Sequence, residues 1–417
     1  MQAIILAAGK SSRFYPLAND KHKSMVRIMG KPILEYTIQG LKEAGIKEIV
    51  LIVDQKKIIQ NYFGDGKKFG VSITYVIQPA PLGAGNGLLL AKKYINGDFF
   101  LLNGHHLDAG NFIKTIIAKR KENDKAVLLV KQKENIWENG VAKISQERLL
   151  DLVEKPKIGE EPSKLCIVGI YLFSREFLSE LENTPPEHYQ LEKAISSFAK
   201  NNFIRAVETK EEVVTLKYPW DLLSLKDFLF IFINRSISEK AKISESAEII
   251  GDVVIEEGAS VLEGAKIKGP CYIGKNAFVG NHAVLRKGVD VEENSVIGGY
   301  MEMKNTIVMA GSKVHSGFIG DSIISENCRI GAQFCTANVR LDRNSVKIIL
   351  SSKEVDTNLK SFGMILGKNS KIGIKSSTMP GVIIGENSFI GPHTSVTKNV
   401  EDNTKYFSKF QEVIVKK

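Results

Sequence analysis

The chain has 417 residues, 43% hydrophobic and 25% charged, with a formal net charge of +10. That length supports two or three domains, each with its own core, and excludes a small disulfide-stapled module. No apolar run reaches the roughly 18 residues that span a bilayer, and the lysines are mixed with glutamates without a basic run among aromatics, so membrane insertion and nucleic-acid binding are set aside in favour of anionic metabolites.

The N-terminal "MQAIILAAGK" lacks a basic n-region and a cleavage pattern, so it reads as a first strand and the protein as cytoplasmic. To about residue 220, β-rich runs ("QAIIL", "EIVLIV", "VSITYVI", "DFFLLN", "KAVLLV") alternate with helical patterns such as "ILEYTIQGLKEAG" and "NFIKTIIAKRKEN". This alternation predicts βαβ units and a mostly parallel sheet covered by helices, with ligands beyond the carboxyl ends of the strands. The first strand runs into "LAAGKSSRF", a glycine loop able to wrap a triphosphate with backbone N–H groups while Arg13 pairs with phosphate oxygens. Later, "FFLLNGHHLDAG" ends a buried run in His105 and His106. Near residue 220, "WDLLSLKDFLFIFINRSI" predicts a connecting helix with Leu222, Leu225, Phe228, Leu229 and Phe232 on one face.

From Ile243 an apolar residue recurs every six positions through Ile249, Ile255, Val261, Ile267, Ile273, Val279, Leu285, Val291, Ile297 and Met303, each followed four residues later by a small or aliphatic one. A hexapeptide period predicts a parallel β-helix, three hexads to a coil, with Gly or Asn at corners that need unusual backbone angles. The pattern falters over Lys313 to Phe318, resumes at Ile324 and Ile330, loops out over roughly 342–363 and returns at Leu366. The faltering segment "KVHSGFIGDSI" reads as an interruption that projects a functional loop. Cys166, Cys271, Cys328 and Cys335, without C-x-x-C spacing, are expected to be small buried hydrophobes.

"LAAGKSSRF", "DKHKSMVRIMGKPILEYTI", "VIQPAPLGAGNGLLLA", "NGVAKI", "VEKP", "VGIYLF" and "YPWD", in that order, resemble the motifs of sugar-1-phosphate nucleotidylyltransferases. With the hexapeptide region behind them, the chain resembles the bifunctional family that pairs such a domain with a glucosamine-1-phosphate acetyltransferase. The resemblance implies a Rossmann-like α/β domain over 1–225, a connecting helix and linker over 226–240, and a left-handed parallel β-helix over 241–417, assembled as a homotrimer. It implies that Leu6, Ala8 and Gly9 line the nucleotide, that Arg13 and Lys23 hold the triphosphate, and that Gln78 and Gly83 contact a pyrimidine base. Gly140, Glu154, Lys155 and Gly169 then form the sugar-phosphate pocket, Asp221 is a metal-binding carboxylate, and Mg²⁺ is the cofactor. In the second domain it implies His315 as general base, Asn338 on the sugar or acceptor amine, Lys347 on the phosphate, and acetyl-CoA as donor.

Ser11, His22 and Ala84 depart from the family pattern without removing a catalytic group, and Phe318 and Asn344 stand where Tyr and Lys are common. His105 stands where the family places the magnesium-binding Asp, with His106 expected to be a solvated neighbour; imidazole suits softer ions than Mg²⁺. Three readings stay open. The site uses Mn²⁺, Co²⁺ or Zn²⁺ through His105 or His106 with Asp221; Asp108 substitutes, or one carboxylate suffices weakly; or nucleotidyl transfer is impaired or lost. As alternatives for the whole chain, the sequence allows a monofunctional glucose-1-phosphate uridylyl- or thymidylyltransferase with a structural solenoid, or a nucleotide-sugar-binding regulatory paralogue. One Gln does not separate UTP from dTTP.

Overall fold

A computed structural model describes residues 1–350, 352–411 and 413–415. Two compact units divide it: residues 1–10, 20–25 and 32–215, and residues 11–19, 26–31 and 216–417.

In the first unit, β1 (Gln2–Ala7), β2 (Glu48–Val53), β3 (Ser72–Ile77), β4 (Phe99–Asn103), β5 (Ala126–Gln132), β6 (Gly140–Ser145), β7 (Arg148–Glu154), β8 (Leu165–Phe173) and β9 (Ile204–Glu208) form one sheet. The spatial order is 3-2-1-4-8-5-9-7-6. Strands β1 to β4 are parallel, as their alternation with helices predicts, whereas β8 runs antiparallel to both β4 and β5. Side chains alternate between two cores, as a pleat with both faces covered requires. Ile4, Val50 and Leu101 pack with helices Ala84–Ala91 and Gln190–Asn201, while Ile5, Leu51 and Leu102 pack with Ile33–Glu43 and Ala109–Lys119.

The second unit is a solenoid of three parallel sheets with eight, nine and eight strands. Its pairings superpose every eighteenth residue at first: Ile243 on Val261 on Val279 on Ile297. The hexad residues thus form a continuous buried core. Corner residues Asn276, Asn294, Asn327, Asn369 and Asn387 all have left-handed φ, between 54° and 62°, the conformation Asn tolerates best after Gly.

Three sequence expectations change here. The faltering segment does not interrupt the solenoid, because Val314 stacks on Ile297 and Ile319 on Met303. Instead the chain takes five-residue steps, Met303 to Val308, Val314 to Ile319 and Ile319 to Ile324, and keeps its inward column. The real excursion follows Thr336 and carries a hairpin of Lys347–Leu350 with Lys353–Asp356. The connecting helix spans Asp221–Phe230, so Phe232 falls beyond it and is exposed, while Lys226 is fully buried. Cys335 is exposed; the other three cysteines are buried.

Asp290 and Glu292 alternate with the inward Val289 and Val291, yet both are fully buried. Segment 26–31 covers them: the Met29 N–H donates to Asp290 Oδ2 at 3.0 Å and the Gly30 N–H to Glu292 Oε1 at 2.9 Å. Burial pushes the Asp290 carboxyl up to about 7, because the charged form loses water that one backbone bond replaces only in part. A folded state that keeps a proton the unfolded chain releases loses stability as pH rises from about 4 to 7. Asp290→Asn keeps the acceptor without the charge. Its melting temperature relative to wild type is therefore expected to rise between pH 4.5 and pH 8; an offset independent of pH would contradict this assignment.

Candidate active site

In the first unit the expected residues collect at the carboxyl ends of the strands. Leu6 lies at the end of β1 and Ala8 and Gly9 follow it, with the His22 ring across the loop, its Nε2 3.9 Å from where a Gly9 Cβ would stand. His22 is buried and its Nδ1 lies 2.7 Å from Ser24 Oγ. Burial first, and then Lys23, lowers its pKa to about 3, so it is neutral at physiological pH. Gln78 directly follows β3 and donates both amide hydrogens, to the Gly83 carbonyl at 3.0 Å and to Asn86 Oδ1 at 2.9 Å. Its Oε1 is left as the group able to accept from a ligand. Gly83 has φ 101°, and a Cβ there would lie 2.5 Å from the His188 carbonyl oxygen, so only glycine fits.

Gly140 pairs with Glu154 in the β6–β7 hairpin, and a Cβ on Gly140 would approach Glu154 Oε2 to 2.8 Å and Ile167 to 2.7 Å. Lys155 donates to Tyr189 Oη at 2.8 Å and lies over that ring. Gly169, with φ 87°, sits where the register of β8 against β5 shifts between Ile167 and Tyr171. This bulge turns Gly169 toward the end of β4, where Asn103 Nδ2 and His106 Nε2 lie 3.4 and 3.6 Å from where its Cβ would be.

His106 is therefore not a solvated neighbour. It is 3% exposed, stacks on His105 at 5.2 Å, and has its Nδ1 3.7 Å from Asp108 Oδ1. Neither ring nitrogen of His106 and neither oxygen of Asp108 has a hydrogen-bond partner. Burial, and then Lys23, His106 and His22, holds the His105 imidazole well below its ordinary pKa. The end of β4 thus presents neutral imidazole nitrogen, and among the described residues no three His, Cys, Asp or Glu side chains converge as metal ligands. That donor set does not fit a magnesium site built from protein oxygens.

Arg13 and Asp221 belong to the second unit. Arg13 lies 5.9 Å from the Tyr218 ring centroid, and Asp221 Oδ2 accepts from the backbone N–H groups of Lys217 and Tyr218 at 2.6 and 2.8 Å. Ser11 holds φ 53°, a left-handed conformation that costs roughly 1–2 kcal/mol for a residue with a Cβ.

On the solenoid, His315 is exposed in the second five-residue step, just after Val314. Phe318 and Asn338 converge on Gly320, whose Cβ would lie 2.9 Å from each side chain. Asn338 Nδ2 donates to Asp321 Oδ2 at 2.5 Å. Lys347 lies on the hairpin, paired with Glu354 at 2.8 Å. Sequence reasoning missed Asp321, whose left-handed φ of 50° and burial come from the shortened step.

The nucleotidyl transferase family model matches residues 2–221, and two hexapeptide-repeat models match 270–299 and 363–398. "Bifunctional protein GlmU" of Methanococcus maripaludis strain C7 is 39% identical over the full length of both chains. The "bifunctional sugar-1-phosphate nucleotidylyltransferase/acetyltransferase" of Sulfurisphaera tokodaii is 30% identical over 96% of this chain and 98% of its own. The chain belongs to the bifunctional sugar-1-phosphate nucleotidylyltransferase/acetyltransferase family. Its fold is accordingly a nucleotidyltransferase α/β domain followed by a left-handed parallel β-helix. A solved UDP-glucose pyrophosphorylase bound to UDP-glucose matches the α/β fold with TM-score 0.51 and 21% identity, over 55% of this chain and 98% of that one.

Proposed function

We propose that the α/β domain transfers the nucleotidyl group of UTP or dTTP to a hexose- or N-acetylhexosamine-1-phosphate, and that the β-helix N-acetylates an amino-sugar-1-phosphate with acetyl-CoA. The observation that carries the first half is the polarity of Gln78. With both of its N–H groups engaged, Oε1 is the group left to accept, which matches the N3–H that uracil and thymine share. Leu6, Ala8, Gly9 and Gly83 then frame the nucleotide, Arg13 and Lys23 neutralise phosphate charge as the sugar phosphate attacks in line, and Glu154 and Lys155 bind sugar hydroxyl and phosphate beside Gly140 and Gly169.

A divalent ion belongs to this reaction class, with His105 and Asp221 as its expected ligands here. A neutral imidazole at His105 favours Mn²⁺ or Co²⁺ over Mg²⁺, and the step in Mg²⁺ alone is impaired. In the second half, His315 takes a proton from the acceptor amine while the amine nitrogen forms a bond to the acetyl carbon. The C–S bond breaks, and the proton passes to the departing CoA thiolate. Asn338 faces the amine and Lys347 the phosphate. The domains are taken as 1–225 and 241–417 about a linker, in a cytoplasmic homotrimer joined through the β-helix; nucleic acid has no part.

Pyrophosphate release from UTP or dTTP with sugar-1-phosphates, in Mg²⁺, Mn²⁺ and Co²⁺, tests the first half. Wild type is expected to be slow in Mg²⁺, and His105→Asp faster by roughly tenfold or more, the scale of one lost charge-stabilising contact. Equal rates for both proteins in Mg²⁺ would contradict the reading. CoA release with glucosamine-1-phosphate tests the second: His315→Ala is expected to lower it by roughly 10²–10⁴-fold, and unchanged release would show that another group is the base.

A further inference from the structure

Lys226 is fully buried, a costly place for an ammonium unless its protons are taken up. Its Nζ donates to Asn305 Oδ1 at 3.0 Å and to Asp227 Oδ1 at 2.5 Å. Since lysine has donors only, Asn305 must turn its oxygen toward Lys226 and its Nδ2 the other way. That Nδ2 donates to Asp321 Oδ1 at 2.9 Å. Asp321 is 3% exposed and also accepts from Lys304 Nζ at 2.9 Å and from Asn338 Nδ2 at 2.5 Å. A carboxylate accepts only, so it selects the NH₂ face of Asn338 as Lys226 selects the oxygen face of Asn305.

We propose that Asp321 is a positioning residue for acetyl transfer: anchored by Lys304 and by the Lys226–Asn305 relay, it locks the Asn338 amide so that Oδ1 faces the acceptor. A fixed carbonyl oxygen recognises a hydrogen-bond donor, so the site selects an amine acceptor and aligns its lone pair away from Asn338. The stacking makes the lock rigid. Asn305 and Asp321 occupy left-handed corners of successive coils, the Asp321 N–H donates to the Lys304 carbonyl at 2.8 Å, and the Asn338 carbonyl accepts from the Phe362 N–H at 2.8 Å. Phe318 and Asn338 both press on Gly320, which leaves the amide little room to turn over. The inference rests on the reading of His315 and Asn338 as acetyl-transfer residues.

The test uses the full chain, with glucosamine-1-phosphate and acetyl-CoA each varied while CoA release is followed. Asp321→Asn removes the constraint on the amide, and the KM for glucosamine-1-phosphate is expected to rise roughly tenfold to hundredfold, the scale of one charge-assisted hydrogen bond, while the KM for acetyl-CoA stays unchanged. The exchange Asp321→Asn with Asn338→Asp puts an NH₂ opposite a carboxylate again, and is expected to recover most of the acceptor KM. An unchanged acceptor KM in Asp321→Asn would overturn the proposal. So would a parallel rise in both KM values, or a loss that the exchange does not recover, since either marks a general disturbance of the coil. His315→Ala, run alongside, separates the two levels: if it retains acetyl transfer, the site reading itself fails; if it is inactive and Asp321→Asn behaves as wild type, only the role of Asp321 fails.

Discussion

The inward column of the β-helix is the constraint on which the second half of the molecule depends. Each coil closes only if an aliphatic side chain stands over the one a coil below, and each such residue, fully buried, contributes about 1.5–3 kcal/mol. The column therefore fixes which residues point in, and leaves the length of each step between corners as the variable. Eighteen-residue coils give a uniform exterior. Between Met303 and Ile324 three steps lose one residue each while the column runs on through Val308, Val314 and Ile319. His315, Phe318, Gly320 and Asp321 all lie in those shortened steps, so the same economy that keeps the core intact creates the irregular surface where the polar chain from Lys226 to Asn338 assembles.

The first unit works by a different rule. Its sheet is covered on both faces, so chemistry is confined to strand ends, where glycines at 83, 140 and 169 bring other side chains or backbone within 2.5–3.6 Å of where a Cβ would stand. The electrostatics of that edge are unusual for a site meant to hold a hard cation. His22 and His105 are neutral by burial next to Lys23, and His106 and Asp108 are buried with unpaired polar atoms. The carboxylate nearest the end of β4, Asp108, is buried against His106, so the donor at the strand end is an imidazole, which suits Mg²⁺ poorly.

Much of this was legible in the sequence because period and burial are the same fact. Hexads had to be apolar where the column is, and the alternation of strands with helices had to bury both sheet faces. The five-residue steps read as an interruption because a six-residue template cannot follow a skipped residue. Lys226 was invisible for the opposite reason, since a lysine in an amphipathic helix is expected to face water and its acceptor, Asn305, is distant in sequence. Asp290 and Glu292 likewise look like outward charges until Met29 and Gly30 cover them, and the burial of His106 follows from the β8 bulge at Gly169, which no local pattern announces.

Shortening the coil without breaking its column builds the surface on which the proposed acetyl transfer depends. Inserting one alanine after Ser316 restores a six-residue step between Val314 and Ile319. Measuring CoA release and thermal stability together on that variant is the most direct test: the account predicts a folded protein with wild-type melting behaviour that has lost acetyl transfer. Acetyl transfer at the wild-type rate in a protein with the restored step would contradict it.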